Sequence, residues 1–261
     1  PIIRGLSGDR VRVLQDGIGS GDASNTSPDH AVSIDPLSAE RIEIARGPAT
    51  LLYGSSAIGG AVNILSNAIP EAMPSSPITG DLLLRGGSVA DEKSGSLKLD
   101  GRAGSRVAWH LEGFARDTDD YDIPDDAVIG EEDEHEEEGE EHEEEDLTPG
   151  VLENSSIEAE GGTFGLSYVG ERSFLGVSVS GYDTNYGVPG GHGHGEEHEG
   201  EEEHEEEGEE HEEEGGVRID LEQRRLDLKG GWRELGSFID RLQFRLGSTD
   251  YEHTELEGAE I

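Results

Sequence analysis

The chain has 261 residues and a formal net charge of −42, with no Cys, a single Met and 5% aromatic residues. That balance argues against nucleic-acid binding, which needs Lys/Arg clusters against phosphate. It also excludes disulfides and thiolate zinc sites, and it disfavours a copper site built on soft sulfur. No run approaches the ~20 apolar residues of a membrane helix, and no signal peptide is visible.

Residues 1–69 carry short apolar strings, Val11–Leu14 and Arg41–Ile44, separated by Gly, Asp and Ser. Arg46–Asn63 (RGPATLLYGSSAIGGAVN) reads as a Gly-rich turn and a short helix leading into a strand. Together these predict a small α+β domain. Residues 70–77, within the Pro-rich IPEAMPSSP, read as a linker. The opening PIIRGL looks like the middle of a folded unit, and nothing resembling a cap closes the chain at Ile261, so an internal piece of a longer protein is expected.

From Ile78 onward, seven candidate strands alternate with turns: Ile78–Gly87, Gly95–Gly104, Arg106–Asp117, Ile157–Val169, Phe174–Tyr182, Val217–Trp232 and Ile239–Tyr251. In the third, Val107, Trp109 and Leu111 alternate with Ala108, His110 and Glu112. In the last, Leu242, Phe244 and Leu246 alternate with Arg241, Gln243 and Arg245. Period two with one apolar and one polar face suits a strand between lipid and water, and equally a soluble sheet with one solvated face.

The connections separate these readings. Gly104–Ser105, Gly170–Ser173 and Glu234–Ser237 are short, whereas the loops at about 118–155 and 187–216 are long. Short turns at one end and long loops at the other are the habit of transmembrane β-barrels, whose long loops are extracellular. In an up-and-down meander both long loops, and the segment Asp250–Glu257 (DYEHTELE), fall on the same end.

Both long loops are acidic. HEEEGEEHEEE occurs at His135–Glu145 and again at His204–Glu214, and 27 of the 61 acids lie within 131–146 and 196–214. The charge is therefore local, and it attracts cations. Imidazoles among carboxylates offer ligands to a divalent ion, with zinc the best match. His135, His142, His192, His194, His198, His204 and His211 all lie in these loops, leaving three His elsewhere. Their spacings fix no geometry, so weak capture of many ions is expected rather than one tight site. His titrates near ~6.5 in reference peptides, and capture should weaken below about pH 6 because imidazolium cannot bind metal. A solvated acidic loop with incidental His is the plainer alternative.

DRVRVLQDG (Asp9–Gly17), SIDPLSAERIEIARGPATLLYGSSAIGGAVNI (Ser33–Ile64) and the strands that follow resemble a TonB-dependent outer-membrane receptor. Residues 1–69 would be the C-terminal part of its plug domain. Residues 78–261 would be about seven strands of an antiparallel barrel of about 22 strands. The implied fold is membrane β, a partial transmembrane barrel preceded by a small α+β plug. The implied partners are the TonB complex, outer-membrane lipid and a cargo. Within the family, His- and acid-rich loops are similar to those of zinc-uptake receptors, which also place an Asp-His pair in a plug loop. Asp29 and His30, in SPDHAVS, stand at that place. An Asx-turn with a solvated His is the alternative for the pair.

The resemblance leaves the barrel ligands of such a site open. His253, beside Glu252, could be an extra ligand, although a lone His at that end is more often simply exposed. The family also implies that Glu40, Arg41, Glu43 and Arg46 pair with the barrel wall, while a polar strand face fits them equally. A siderophore, haem, nickel or copper cargo, and a non-transporting metal-binding module, are the rivals. The absence of aromatics from Ile18–Ser33 weighs against haem and siderophores. No Ser/His/Asp order, phosphate loop or zinc-hydrolase helix stands out, so no enzyme is expected, and no bound cofactor beyond the transported ion.

Overall fold

A computed structural model describes residues 1–24, 30–124, 150–189, 216–236 and 238–256. Two sheets face each other. The first has four strands in the order β2-β1-β4-β3: β1 (Val11–Gln15), β2 (Ile18–Gly19), β3 (Arg41–Ala45) and β4 (Gly60–Leu65). The Asp16-Gly17 turn closes the β1–β2 hairpin with both residues at positive φ, 51° and 84°. Asp and Gly tolerate that left-handed turn, whose twist matches the strands. β1 and β4 run parallel, joined through 3₁₀ turns at Pro36–Ser38, Gly47–Tyr53 and Ser55–Ala57. The helical turns of this unit are 3₁₀ rather than α among the described residues.

The second sheet is a seven-stranded antiparallel meander: β5 (Ile78–Gly86), β6 (Lys93–Ala103), β7 (Val107–Thr118), β10 (Ile157–Val169), β11 (Ser173–Gly187), β12 (Arg218–Arg233) and β13 (Arg241–Leu256). A small hairpin of β8 (Tyr121–Asp122) and β9 (Val151–Leu152) rises from the loop after β7. All seven expected strands are present. β11 and β13 each run five residues past the expected end, to Gly187 and Leu256. Polar residues such as Asp183, Asn185, Glu252 and Thr254 obscured this extension, because strand pairing continues where the outward face has turned from apolar to polar.

Alternation gives the sheet two unlike faces. Leu82, Leu97, Leu111, Leu166, Val177, Leu226 and Leu242 stand exposed on the outer face. Ser94, Ala108, His110, Glu112, Ser167, Ser178 and Arg225 are buried on the inner face, against the first sheet. Small residues let the two bodies approach closely: a Cβ on Gly165 would sit 1.7 Å from the Ala68 carbonyl oxygen. Polar contacts then fasten them. Arg116 pairs with the fully buried Asp35, which also caps the turn at Leu37 N–H (2.7 Å). Lys98 donates to Ser38 O (3.1 Å), Arg225 to Gly19 O (3.3 Å), Arg245 to Asp16 O, and Lys229 pairs with Glu71 (2.6 Å).

The expected pairing of Glu40, Arg41, Glu43 and Arg46 with the wall takes a different form. Arg41 pairs with Glu43 of its own strand at 2.6 Å, both largely exposed. The observed fastenings come instead from Asp35, Ser38, Glu71 and backbone carbonyls.

Arg116→Ala strands Asp35 as a buried, unpaired carboxylate and should destabilise the docked state by about 3–5 kcal/mol. Limited proteolysis should cleave residues 1–69 faster in this variant than in Arg116→Lys; equal cleavage rates would show that the pair does not hold the two bodies together.

Candidate metal centre

The loop between β2 and β3 reaches the end of the wall where the long connections emerge. Its geometry is fixed from within by Asp22, whose carboxylate accepts from the Ser24 N–H (3.2 Å), the Ser24 hydroxyl (2.6 Å) and the Ser33 N–H (3.1 Å). His30, near the end of this loop, leans onto β13 with its side chain only 11% exposed.

On β13, His253 and Glu255 are two residues apart and both face inward. The ladder puts His253 opposite Leu221 and Glu255 opposite Ile219, and both partners are buried. His30 Nε2 lies 3.2 Å from His253 Nε2 and 3.2 Å from Glu255 Oε1, and His253 Nε2 lies 3.8 Å from that oxygen. The imidazole rings meet edge to face at 4.8 Å. Beneath them Tyr186, Ile219 and Leu221 form an apolar floor, with Ala31, Tyr182 and Tyr251 packed against it.

The chemistry of this triangle follows from its edges. Zinc bonds of ~2.0–2.1 Å in a tetrahedron place neighbouring ligand atoms about 3.3 Å apart. The three separations of 3.2, 3.2 and 3.8 Å are close to one face of such a tetrahedron, with the fourth corner open. Two imidazoles and one carboxylate are a borderline-to-hard set that suits Zn²⁺ and excludes a sulfur-dependent metal. A hydrogen-bonded triad fits less well, because one Nε2 proton on His30 cannot serve both His253 and Glu255 fully.

Two sequence candidates, His30 and His253, are thus brought together across 223 positions. His253 sits on a strand, not in a loop as expected. Its sequence neighbour Glu252 shares a register position with Glu222 on the opposite face. Glu255 was missed, although an inward His253 implies an inward Glu255 once the strand is drawn to Leu256. Asp29, His135, His142, His192, His194, His198, His204 and His211 lie outside the described residues. His110 is buried in the wall between Asp100 (3.0 Å) and Glu112 (3.5 Å), one carboxylate on each ring nitrogen, an arrangement for proton sharing rather than for one ion.

Residues 1–61 match the TonB-dependent Receptor Plug Domain family. That stretch is a TonB-dependent receptor plug domain. The chain is 43% identical over 61 residues to a hemin receptor of Yersinia pestis, covering 23% of this chain and 9% of that protein. It is 44% identical over 66 residues to the vitamin B12 transporter BtuB of Vibrio cholerae, covering 25% and 11%. The match spans about a tenth of those relatives' length. Among solved structures, the copper transporter OprC overlays 98% of this chain with 32% of its own (TM-score 0.67, 14% identity). The FrpB iron transporter of Neisseria meningitidis overlays 95% with 34% (TM-score 0.60, 10% identity). At such identities the overlays establish fold alone: a plug domain with a partial receptor sheet. The chain has this plug-and-sheet fold.

His30→Ala or His253→Ala should remove a discrete divalent-ion site. Glu255→Gln should weaken it more than the roughly 10–100-fold that loss of an outer-shell partner costs. Equilibrium dialysis with Zn²⁺ on the purified receptor checks this; unchanged stoichiometry and affinity in all three variants would dismiss the triangle as a metal site.

Proposed function

We propose that the chain is the plug and first wall of a TonB-dependent receptor that takes up a divalent metal ion, Zn²⁺ first among candidates. The observation that carries this reading is the His30–His253–Glu255 triangle with tetrahedral-face edges at the extracellular end of the plug–wall seam. One ligand comes from the plug and two from the wall, so displacement of the plug opens the ligand set and lets the ion go. Energy for that displacement would come through the TonB complex. The relatives are receptors and transporters, and we read this chain as a receptor rather than an enzyme.

The two His/Glu tracts would gather ions over this seam. Dense negative charge raises the local cation concentration, more at low salt than at 0.15 M, where the Debye length is ~8 Å. Asp29, next to His30 in sequence, is the natural candidate for the fourth ligand.

The related hemin receptors and siderophore receptors make haem or a siderophore the second reading, and Tyr182, Tyr186 and Tyr251 give it some support as wall aromatics near the site. Haem iron between two imidazoles needs their nitrogens on opposite sides of the metal. Here the two Nε2 atoms lie on one edge, 3.2 Å apart. Copper handled through sulfur is disfavoured by one Met and no Cys.

In zinc-limited cells carrying the full-length receptor, TonB-dependent zinc uptake should be abolished by His30→Ala with His253→Ala. Deleting both tracts should raise the zinc concentration for half-maximal uptake and leave the maximal rate unchanged. Tract capture should be weaker at pH 5.5 than at pH 7.5, since protonated His cannot ligate. Normal zinc uptake by the double variant, or haem uptake in its place, would overturn the zinc assignment.

A further inference from the structure

A ligating His usually donates its second ring nitrogen to a carboxylate or carbonyl, which fixes the ring. His30 Nδ1 is buried without a hydrogen-bond partner among the described residues. Besides its edge contact with His253, Nε2 therefore gains from a further hold that keeps it aimed at β13. The backbone beside it supplies an answer: the Ala31 N–H donates to the Tyr186 hydroxyl at 2.8 Å, linking the residue after His30 to strand β11 of the wall.

We propose that Tyr186 is a positioning residue for the metal centre, acting through the His30 backbone, with Asp22 as its counterpart inside the plug. This rests on the metal reading given above. Tyr186 is suited to the task because its ring is locked: it is 7% exposed, packs on Ile219 and Leu221, and stands opposite Ile219 in the ladder. Ile219 is in turn opposite Glu255. One rigid row across β11, β12 and β13 thus carries both the hydroxyl that holds the plug half of the centre and the carboxylate of its wall half. Asp22 ties Ser24 to Ser33 and so holds together the two described ends of the loop that presents His30.

The bond between the Ala31 N–H and the Tyr186 hydroxyl is a neutral one. Removing the acceptor should therefore loosen the centre without destroying it. A net contribution typical of such a bond corresponds to a change in affinity of about 2- to 12-fold.

The test uses the full-length receptor with both tracts deleted, so that weak capture does not mask the discrete site. Zn²⁺ and Co²⁺ are the probes, and wild type, His30→Ala, Tyr186→Phe and Asp22→Asn are compared. Tyr186→Phe keeps the ring and should preserve the metal-free melting temperature. The expected result is loss of the site in His30→Ala and several-fold weaker Zn²⁺ binding in Tyr186→Phe and Asp22→Asn at unchanged stoichiometry. The visible Co²⁺ spectrum should change as water takes the place of a loosened imidazole. If His30→Ala loses the site while Tyr186→Phe matches wild type in affinity and spectrum, the positioning role is overturned and the metal centre stands. If His30→Ala matches wild type, the metal centre and the positioning role fall together.

Discussion

A strand shows every second side chain to the same side, and the rest of this structure depends on that constraint. Outward positions are leucine, valine and aromatic, the composition that a lipid-facing surface calls for. Inward positions must suit a packed plug and a polar seam, so they hold Ser, Gly, Ala and a few charged groups that find partners. Hydrophobic burial alone could not hold the plug, because the inner face offers little apolar surface. Close backbone approach and directed polar contacts do that work: Ala68 against Gly165, Arg116 on Asp35, Arg225 on Gly19, Lys98 on Ser38.

The same alternation builds the candidate centre. β13 can present His253 and Glu255 together only because they are two apart, and it must turn Glu252 and Thr254 away. The centre is complete only when the plug is docked, since His30 belongs to the other body. The contacts that dock the plug therefore also set the ligand geometry. Moving the plug would separate His30 from His253 and Glu255 without any of the three having to change its own conformation, and the proposed coupling of ion release to plug displacement needs no more than that.

Much of the fold was legible. The period-two pattern with short turns on one end gave all seven wall strands, because a lipid-facing band leaves a strong signature in Leu, Val and Trp at alternate positions. The Arg46–Asn63 stretch marked a helical segment leading into β4, which the structure resolves as 3₁₀ turns. The signal failed where the outer face turns polar. Beyond Tyr182 and Tyr251 the outward positions are Asp183, Asn185, Glu252 and Thr254, alternation carries little hydrophobic contrast, and the last five residues of β11 and β13 went unread. That is where Glu255 lies. His30 was legible through the resemblance, and His253 was noticed but placed in a loop. Their meeting across 223 positions depends on how plug and wall dock, which no local pattern records. Of the two readings left open for Glu40, Arg41, Glu43 and Arg46, the Arg41–Glu43 pair along one strand fits the polar strand face.

The most direct measurement is anomalous diffraction at the zinc absorption edge from crystals of the full-length receptor grown with Zn²⁺. A plug–wall zinc centre requires a peak within ~2.0–2.2 Å of His30 Nε2, His253 Nε2 and a Glu255 oxygen. A zinc-loaded receptor whose anomalous peaks avoid these three residues, with the His30–His253–Glu255 triangle intact, would contradict it.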